Sequence, residues 1–179
     1  MIGDKILEGE KVRLRPVAEE DLPRFQRWLN DPDVNHWLEG VIQPPPTLGE
    51  ELAWFERAKA SQISIVWSIE TKQGQLLGNV AIFPITTQQR ASFGIFIGDK
   101  AMWDRGYGTD TVRTLLHYAF HDLGLHRVQL ECHEDNRRAI RCYEKCGFRH
   151  EGLLREHYIV DGQFTNTVVM GILREEFQG

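Results

Sequence analysis

The sequence predicts an α+β domain built on a mixed, mostly antiparallel sheet of about seven strands with helices on both faces. Three observations lead there. Around residues 63–98, three strand-like apolar runs follow one another across turn residues, the pattern of an antiparallel meander. The period then changes to strand, helix, strand and helix between residues 91 and 146. The chain closes with two further strand-like runs joined by Asp161 and Gly162, a dipeptide of tight hairpins. A length of 179 residues fits one domain, 1–179, with a substantial core.

Residues 11–17 alternate charged and apolar side chains and are read as the first strand. In 19–30, Leu22, Phe25, Trp28 and Leu29 make one apolar helical stripe, which Asn30, Asp31 and Pro32 stop. Residues 33–46 hold His36, Trp37, Leu38 and three consecutive prolines, an irregular loop. Thr47 and Glu50 form a capping box for a second helix that runs to Ala60 on Leu48, Leu52 and Phe55. The meander follows as 63–70, 75–83 and 91–98. A helix from Gly108 to about Asp122 buries Val112, Leu115, Leu116, Ala119 and Phe120 and ends at Gly124. A strand over 127–133, a helix over 137–146 stopped by Gly147, and strands over 153–160 and 164–173 complete the chain.

Composition narrows the function. Lys plus Arg total 21 against 26 Asp plus Glu, a net charge of −5 that offers no electrostatic footprint for nucleic acid. No apolar run reaches the ~20 residues of a membrane span, and the first ten residues carry no secretory or transit pattern, so the cytoplasm is the expected compartment. Cys132, Cys142 and Cys146 are odd in number and are read as reduced thiols. Cys142 and Cys146 with His133, or His117 with His121, fall short of a full ligand set, so no metal is expected.

The most informative segment runs from Trp103 through Asp104, Arg105, Gly106, Tyr107 and Gly108 to Thr109, between a strand and a helix start. Two glycines there let backbone N–H groups converge on one point beside the positive end of a helix dipole, where a pyrophosphate fits. Glycines at helix entries also serve turns alone, so the context decides. A dinucleotide-binding unit would want a third glycine where Thr111 stands and alternating strands and helices where the meander stands. A P-loop would need Gly-Lys-Ser or Gly-Lys-Thr, which is absent here.

Downstream at fixed distance lies Asp135-Asn136-Arg137-Arg138-Ala139-Ile140-Arg141-Cys142-Tyr143-Glu144-Lys145-Cys146-Gly147-Phe148. With the glycine turn, this segment resembles the GNAT superfamily of acyl-CoA N-acyltransferases. The opening Val12, Leu14, Arg15, Pro16 and the closing Glu151, Gly152, Leu154, Arg155 resemble its Rim-type branch of ribosomal-protein N-terminal and spermidine acetyltransferases. The resemblance implies a GNAT-like sheet splayed open between its fourth and fifth strands, 91–98 and 127–133, with acetyl-CoA as co-substrate in the gap. It implies that the pantetheine arm pairs with backbone near Ile97, that the amides of Arg105, Gly106, Tyr107, Gly108 and Thr109 hold the pyrophosphate, and that Asn136 contacts pantetheine. Asn136 also reads as a helix N-cap. Tyr143 matches the family's thiolate-protonating tyrosine, a role that suits a phenol titrating near 10; it also lies on the packing stripe of Ala139, Ile140 and Cys146.

The implied reaction is direct attack of a neutral amine on the thioester, helped by a strand-four N–H aimed at the carbonyl oxygen. The sequence departs from the branch at two places: Ser92 stands for a glutamate and Asn166 for an aspartate. The general base is therefore open, with Glu131 and His133 as candidates, and a polycationic acceptor is disfavoured. His36 and Glu39 in the irregular loop, with Ser92, are candidate acceptor contacts, while Trp54 reads as packing. The expected function is a cytoplasmic acetyl-CoA-dependent N-acetyltransferase acting on a primary amine of a protein N-terminus or a small molecule, as a monomer or homodimer. The alternatives are a polyamine acetyltransferase and an acyl-CoA-binding sensor without turnover.

Overall fold

The computed structural model describes residues 1, 3–38, 44–160 and 162–179 and joins eight strands in one sheet. They are β1 (Leu7–Glu8), β2 (Val12–Pro16), β3 (Ile65–Thr71), β4 (Leu76–Phe83), β5 (Arg90–Ile97), β6 (Arg127–His133), β7 (Arg149–Val160) and β8 (Gln163–Leu173). The helices are α1 (Leu22–Leu29), α2 (Pro32–Asn35), α3 (Leu48–Ala60), α4 (Tyr107–His117, continued by a π-helical turn Tyr118–Asp122) and α5 (Arg137–Lys145). The eighth strand is β1, two residues that pair Leu7 with Leu14 and Glu8 with Arg13. So short a strand shows no alternation for a sequence reading to detect. Helix α2 likewise forms within the expected irregular loop, where the Asp31 carboxylate caps it by accepting from Asp33 N at 3.0 Å.

The spatial order is β1-β2-β3-β4-β5-β6-β8-β7, antiparallel except between β5 and β6. Both faces are covered, and β3 is buried along its whole length. On one face Val12, Leu14, Trp67, Ile69 and Val80 pack with Val112, Leu115 and Leu116 of α4 and Ile140 of α5. On the other, Val66 and Leu76 pack with Leu22 and Phe25 of α1 and Phe55 of α3. Asp21 anchors α1 to this second face: it accepts from both terminal nitrogens of Arg15 at 2.7 Å, from Ser68 Oγ at 2.6 Å and from Ala18 N at 3.0 Å. Burial alone would raise the Asp21 pKa, but Arg15, Ser68 and Ala18 outweigh it and hold the carboxyl below its usual value.

The feature that makes room for function is the single parallel junction. Strands β5 and β6 share only the pairs Arg90↔Arg127, Ala91↔Val128 and Ser92↔Gln129, and then part. Gly98 N donates to Leu77 O at 2.8 Å, which fixes the parity of the β4–β5 ladder. Even-numbered residues of β5 therefore bond to β4, while the backbone groups of Phe93, Ile95 and Ile97 face the gap.

Candidate active site

Helix α4 begins at the fork without a side-chain cap. Gly106, at φ 85°, is its N-cap, and the first helical bond from this turn is Asp110 N to Gly106 O at 3.0 Å. The N–H groups of Tyr107, Gly108 and Thr109 thus lack helical acceptors and point out of the helix N-terminus. Glycine is required at 106 because an L side chain rarely adopts that φ. At 108 a Cβ would meet only Cys142 Sγ, at 3.7 Å, so the backbone there is open to close approach. The turn is braced from outside: Lys11 Nζ donates to Arg105 O at 3.0 Å, and the Asp110 carboxylate accepts from the N–H groups of Glu10, Lys11 and Val12 at 3.1, 2.7 and 2.9 Å.

Helix α5 supplies the facing wall. Asn136 caps it, its Oδ1 accepting from Ala139 N at 3.1 Å. Its Nδ2 has no hydrogen-bond partner among the described residues and remains a donor at the cleft. Tyr143, 9% exposed, is packed edge-on against Phe93 at 5.7 Å and lies 6.0 Å from Phe148. Those rings fix its orientation while it still reaches the cleft wall. Arg138 stacks on Trp103, 3.7 Å from the ring centroid, and Trp103 Nε1 donates to Ile97 O at 2.7 Å.

These elements enclose a cleft of about 540 Å³ that extends from the glycine turn between β5 and β6 towards α1 and α3. Ile97, Gly106, Tyr107, Gly108, Thr109, Glu131, Asn136 and Tyr143 all line it. Arg105 does not; its carbonyl braces the turn and its side chain is outside the lining. At Ile97 the carbonyl is committed to Trp103, so the backbone left for a ligand is the Ile97 N–H with the groups of Ile95 and Phe93.

Three other expected site residues stand off the cleft. Ser92 belongs to the last paired register of β5 and β6, at the closed end of the fork. His133 is buried, with His36 stacked on it at 6.3 Å and Trp37 edge-on at 6.4 Å. Burial first, and then His36, lower the His133 pKa, with Asp135 opposing, and its Nε2 has no hydrogen-bond partner among the described residues. His36 is half-buried in that stack and is not part of the lining. Glu39 lies outside the described residues. Asn166 is committed structurally: its Oδ1 accepts from Glu156 N and its Nδ2 donates to Glu134 Oε1, each at 2.9 Å. An ionised aspartate could not make the second bond.

The cleft has a polarity. Arg138, Arg141 and Lys145 line the end near the glycine turn, beside the free amides. Glu131 lines it from β6 and Glu51 from α3, together with Trp37, Trp54 and Leu29. Glu131 Oε2 lies 3.8 Å from His157 Nδ1. Sequence reading missed Glu51, since an acid in the first turn of a helix is what the helix dipole favours anyway. It also missed Cys142, which accepts from Thr109 Oγ1 at 3.4 Å beneath the turn. Neighbouring Cys146, with the Thr109 hydroxyl and the cations Lys145 and Arg113, lowers the Cys142 thiol from its ordinary value against the opposing effect of burial.

Free amides, flanking cations and a backbone edge fit the diphosphate and pantetheine arm of a coenzyme A thioester. Residues 11–149 match the family model described as an acetyltransferase (GNAT) domain. The chain belongs to the GNAT acetyltransferase family. A probable N-acetyltransferase of Bacillus subtilis is 36% identical over 104 residues, 57% of either chain. The spermidine N(1)-acetyltransferase of Vibrio cholerae is 31% identical over 171 residues, 94% of this chain and 96% of that one. A crystal structure of spermidine N-acetyltransferase from Vibrio cholerae, in complex with CoA and spermine, superposes with a TM-score of 0.86 at 24% identity over 94% of this chain and 98% of that one, a likeness of fold. This GNAT enzyme is an N-acetyltransferase that uses acetyl-CoA as co-substrate to acetylate an amine, of the Rim-type branch that Val12, Leu14, Arg15, Pro16 and Glu151, Gly152, Leu154, Arg155 resemble. Among the described residues no cluster of three His, Cys, Asp or Glu side chains could hold a metal ion, and no helix is long and apolar enough to cross a membrane.

Proposed function

We propose that the enzyme acetylates the primary amine of a protein N-terminus or of a small molecule, with the roles divided along the cleft. The observation that carries this reading is that the uncapped amides of Tyr107, Gly108 and Thr109, the Asn136 cap and Tyr143 line one cleft where β5 and β6 part. The amides and Arg138 hold the diphosphate; Asn136 Nδ2 and the gap-facing backbone of β5 hold the pantetheine arm. The amine nitrogen attacks the thioester carbon, a C–N bond forms, and the C–S bond breaks with its electron pair on sulfur. Tyr143 gives its phenolic proton to the departing thiolate and is reprotonated from solvent. The proton lost by nitrogen goes to Glu131, which lines the cleft where the other candidate base, His133, does not.

The cytoplasm suits three free thiols. The β7–β8 hairpin exposes Leu153, Leu154, Ile159 and Phe164, and a homodimer would cover part of that apolar surface. Release of free CoA thiol across a panel of amines tests the proposal: turnover with α-amino peptides or small primary amines supports it, and acetyl-CoA binding without thiol release from any acceptor would leave only a sensor.

A further inference from the structure

Glu51 is 7% exposed, lines the cleft, and has no hydrogen-bond or ion-pair partner among the described residues. Its carboxylate opens onto the cleft and is met there by no cation or donor of the described residues. Burial, with Glu50 nearby, pushes its pKa up, as expected of an unpartnered buried acid. The walls that share its end of the cleft are apolar: Trp54 lies one helical turn along α3, and Leu29, Val34 and Trp37 come from α1, α2 and the turn after it. Phe25 and Phe96 back Trp54 and β5 in a chain of edge-to-face rings. The opposite end holds the cations and free amides, so a ligand that spans the cleft meets positive charge at one end and a lone acid among indoles at the other.

We propose that Glu51 receives the acceptor's ammonium group and that the acceptor is a primary amine carried on an apolar or aromatic body. This rests on the acetyl-transfer reading above and names its substrate class. A cation against Glu51 supplies the partner that the fold withholds, and the indole and aliphatic walls take the attached apolar group without leaving polar atoms unpaired. A polyamine presents several separated charges, whereas the described cleft lining contains only Glu51, Glu131 and, on the glycine turn itself, Asp104 as acids. Its remaining cations would lie against Trp54, Leu29 and Val34.

The test compares steady-state CoA release for 2-phenylethylamine, tryptamine and spermidine by the wild-type enzyme, Glu51→Gln and Glu51→Met, with acetyl-CoA affinity measured by calorimetry on each. The expected result is a kcat/KM for the two arylalkylamines roughly tenfold or more above that for spermidine. Both variants should raise the amine KM about tenfold or more while acetyl-CoA affinity holds, and both should melt no lower than wild type, because Glu51 makes no hydrogen bond or ion pair for them to break. Glu51→Met keeps volume without a polar group, so it reports even if the glutamine variant folds poorly. An unchanged amine KM in a folded variant, or a preference for spermidine, overturns the assignment while acetyl transfer stands. Failure to bind acetyl-CoA or to release CoA with any amine overturns both.

Discussion

Replacing Tyr143 by phenylalanine separates chemistry from packing. The ring is 9% exposed and held edge-on by Phe93 at 5.7 Å with Phe148 at 6.0 Å, and both contacts belong to the ring rather than the hydroxyl. Phenylalanine keeps them, so stability should move by no more than about 1 kcal/mol. Truncation to alanine would instead open a cavity costing about 3–5 kcal/mol, which would confuse the reading. If the phenol donates the proton to the thiolate, its loss should slow turnover about a hundredfold, equivalent to about 2.7 kcal/mol of barrier. The diphosphate and pantetheine contacts are made by other residues, so acetyl-CoA affinity should hold. Steady-state thiol release gives kcat, calorimetry gives the affinity, and thermal melting gives the stability. A kcat within about twofold of wild type would return Tyr143 to a packing role.

Two further perturbations follow from the same structure. Asp21→Asn should lower stability by about 2 kcal/mol at neutral pH, discounted because Arg15 is partly exposed. The Asp21 carboxyl titrates below its usual value of 3.8 in the folded state, so its contribution is present above that pH and is lost as pH falls through the folded value. The melting temperatures of wild type and variant should therefore converge in acid, and a gap that stays constant there would refute the linkage. Cys142 lines the cleft beside the glycine turn with its thiol lowered from its ordinary value, so iodoacetamide should modify it and abolish turnover, with acetyl-CoA protecting. Equal labelling with and without acetyl-CoA, read by peptide mass spectrometry, would contradict the placement.

What the sequence made legible were features with a local period or a local cap. Thr47 and Glu50 signal the start of α3 within their own four residues, and β6 over Arg127–His133 is bounded as its pattern predicts. The glycine turn was readable because Gly106 and Gly108 have few other uses between a strand and a helix. The first half of β7 was not: Arg149 to Gly152 is exposed, so no alternation marks it, and only its pairing with β8 makes it a strand. Glu51 was hidden for a different reason. Its role depends on what α3 faces across the cleft, a tertiary fact that no spacing along the helix records. Ser92 and His133 failed as cleft residues because the fork opens just beyond Ser92 and because His36 and Trp37 pack over His133.

If the uncapped amides at the start of α4 hold the diphosphate of acetyl-CoA, calorimetry on the purified protein and on Gly108→Glu will separate the two. A Cβ at 108 meets only Cys142 Sγ, at 3.7 Å, so the variant should fold, while its carboxylate would occupy the anion site. The wild type should bind acetyl-CoA saturably, and the variant at least about a hundredfold more weakly at unchanged melting temperature. Equal affinity in the two proteins, or no binding to either, would contradict that role of the amides.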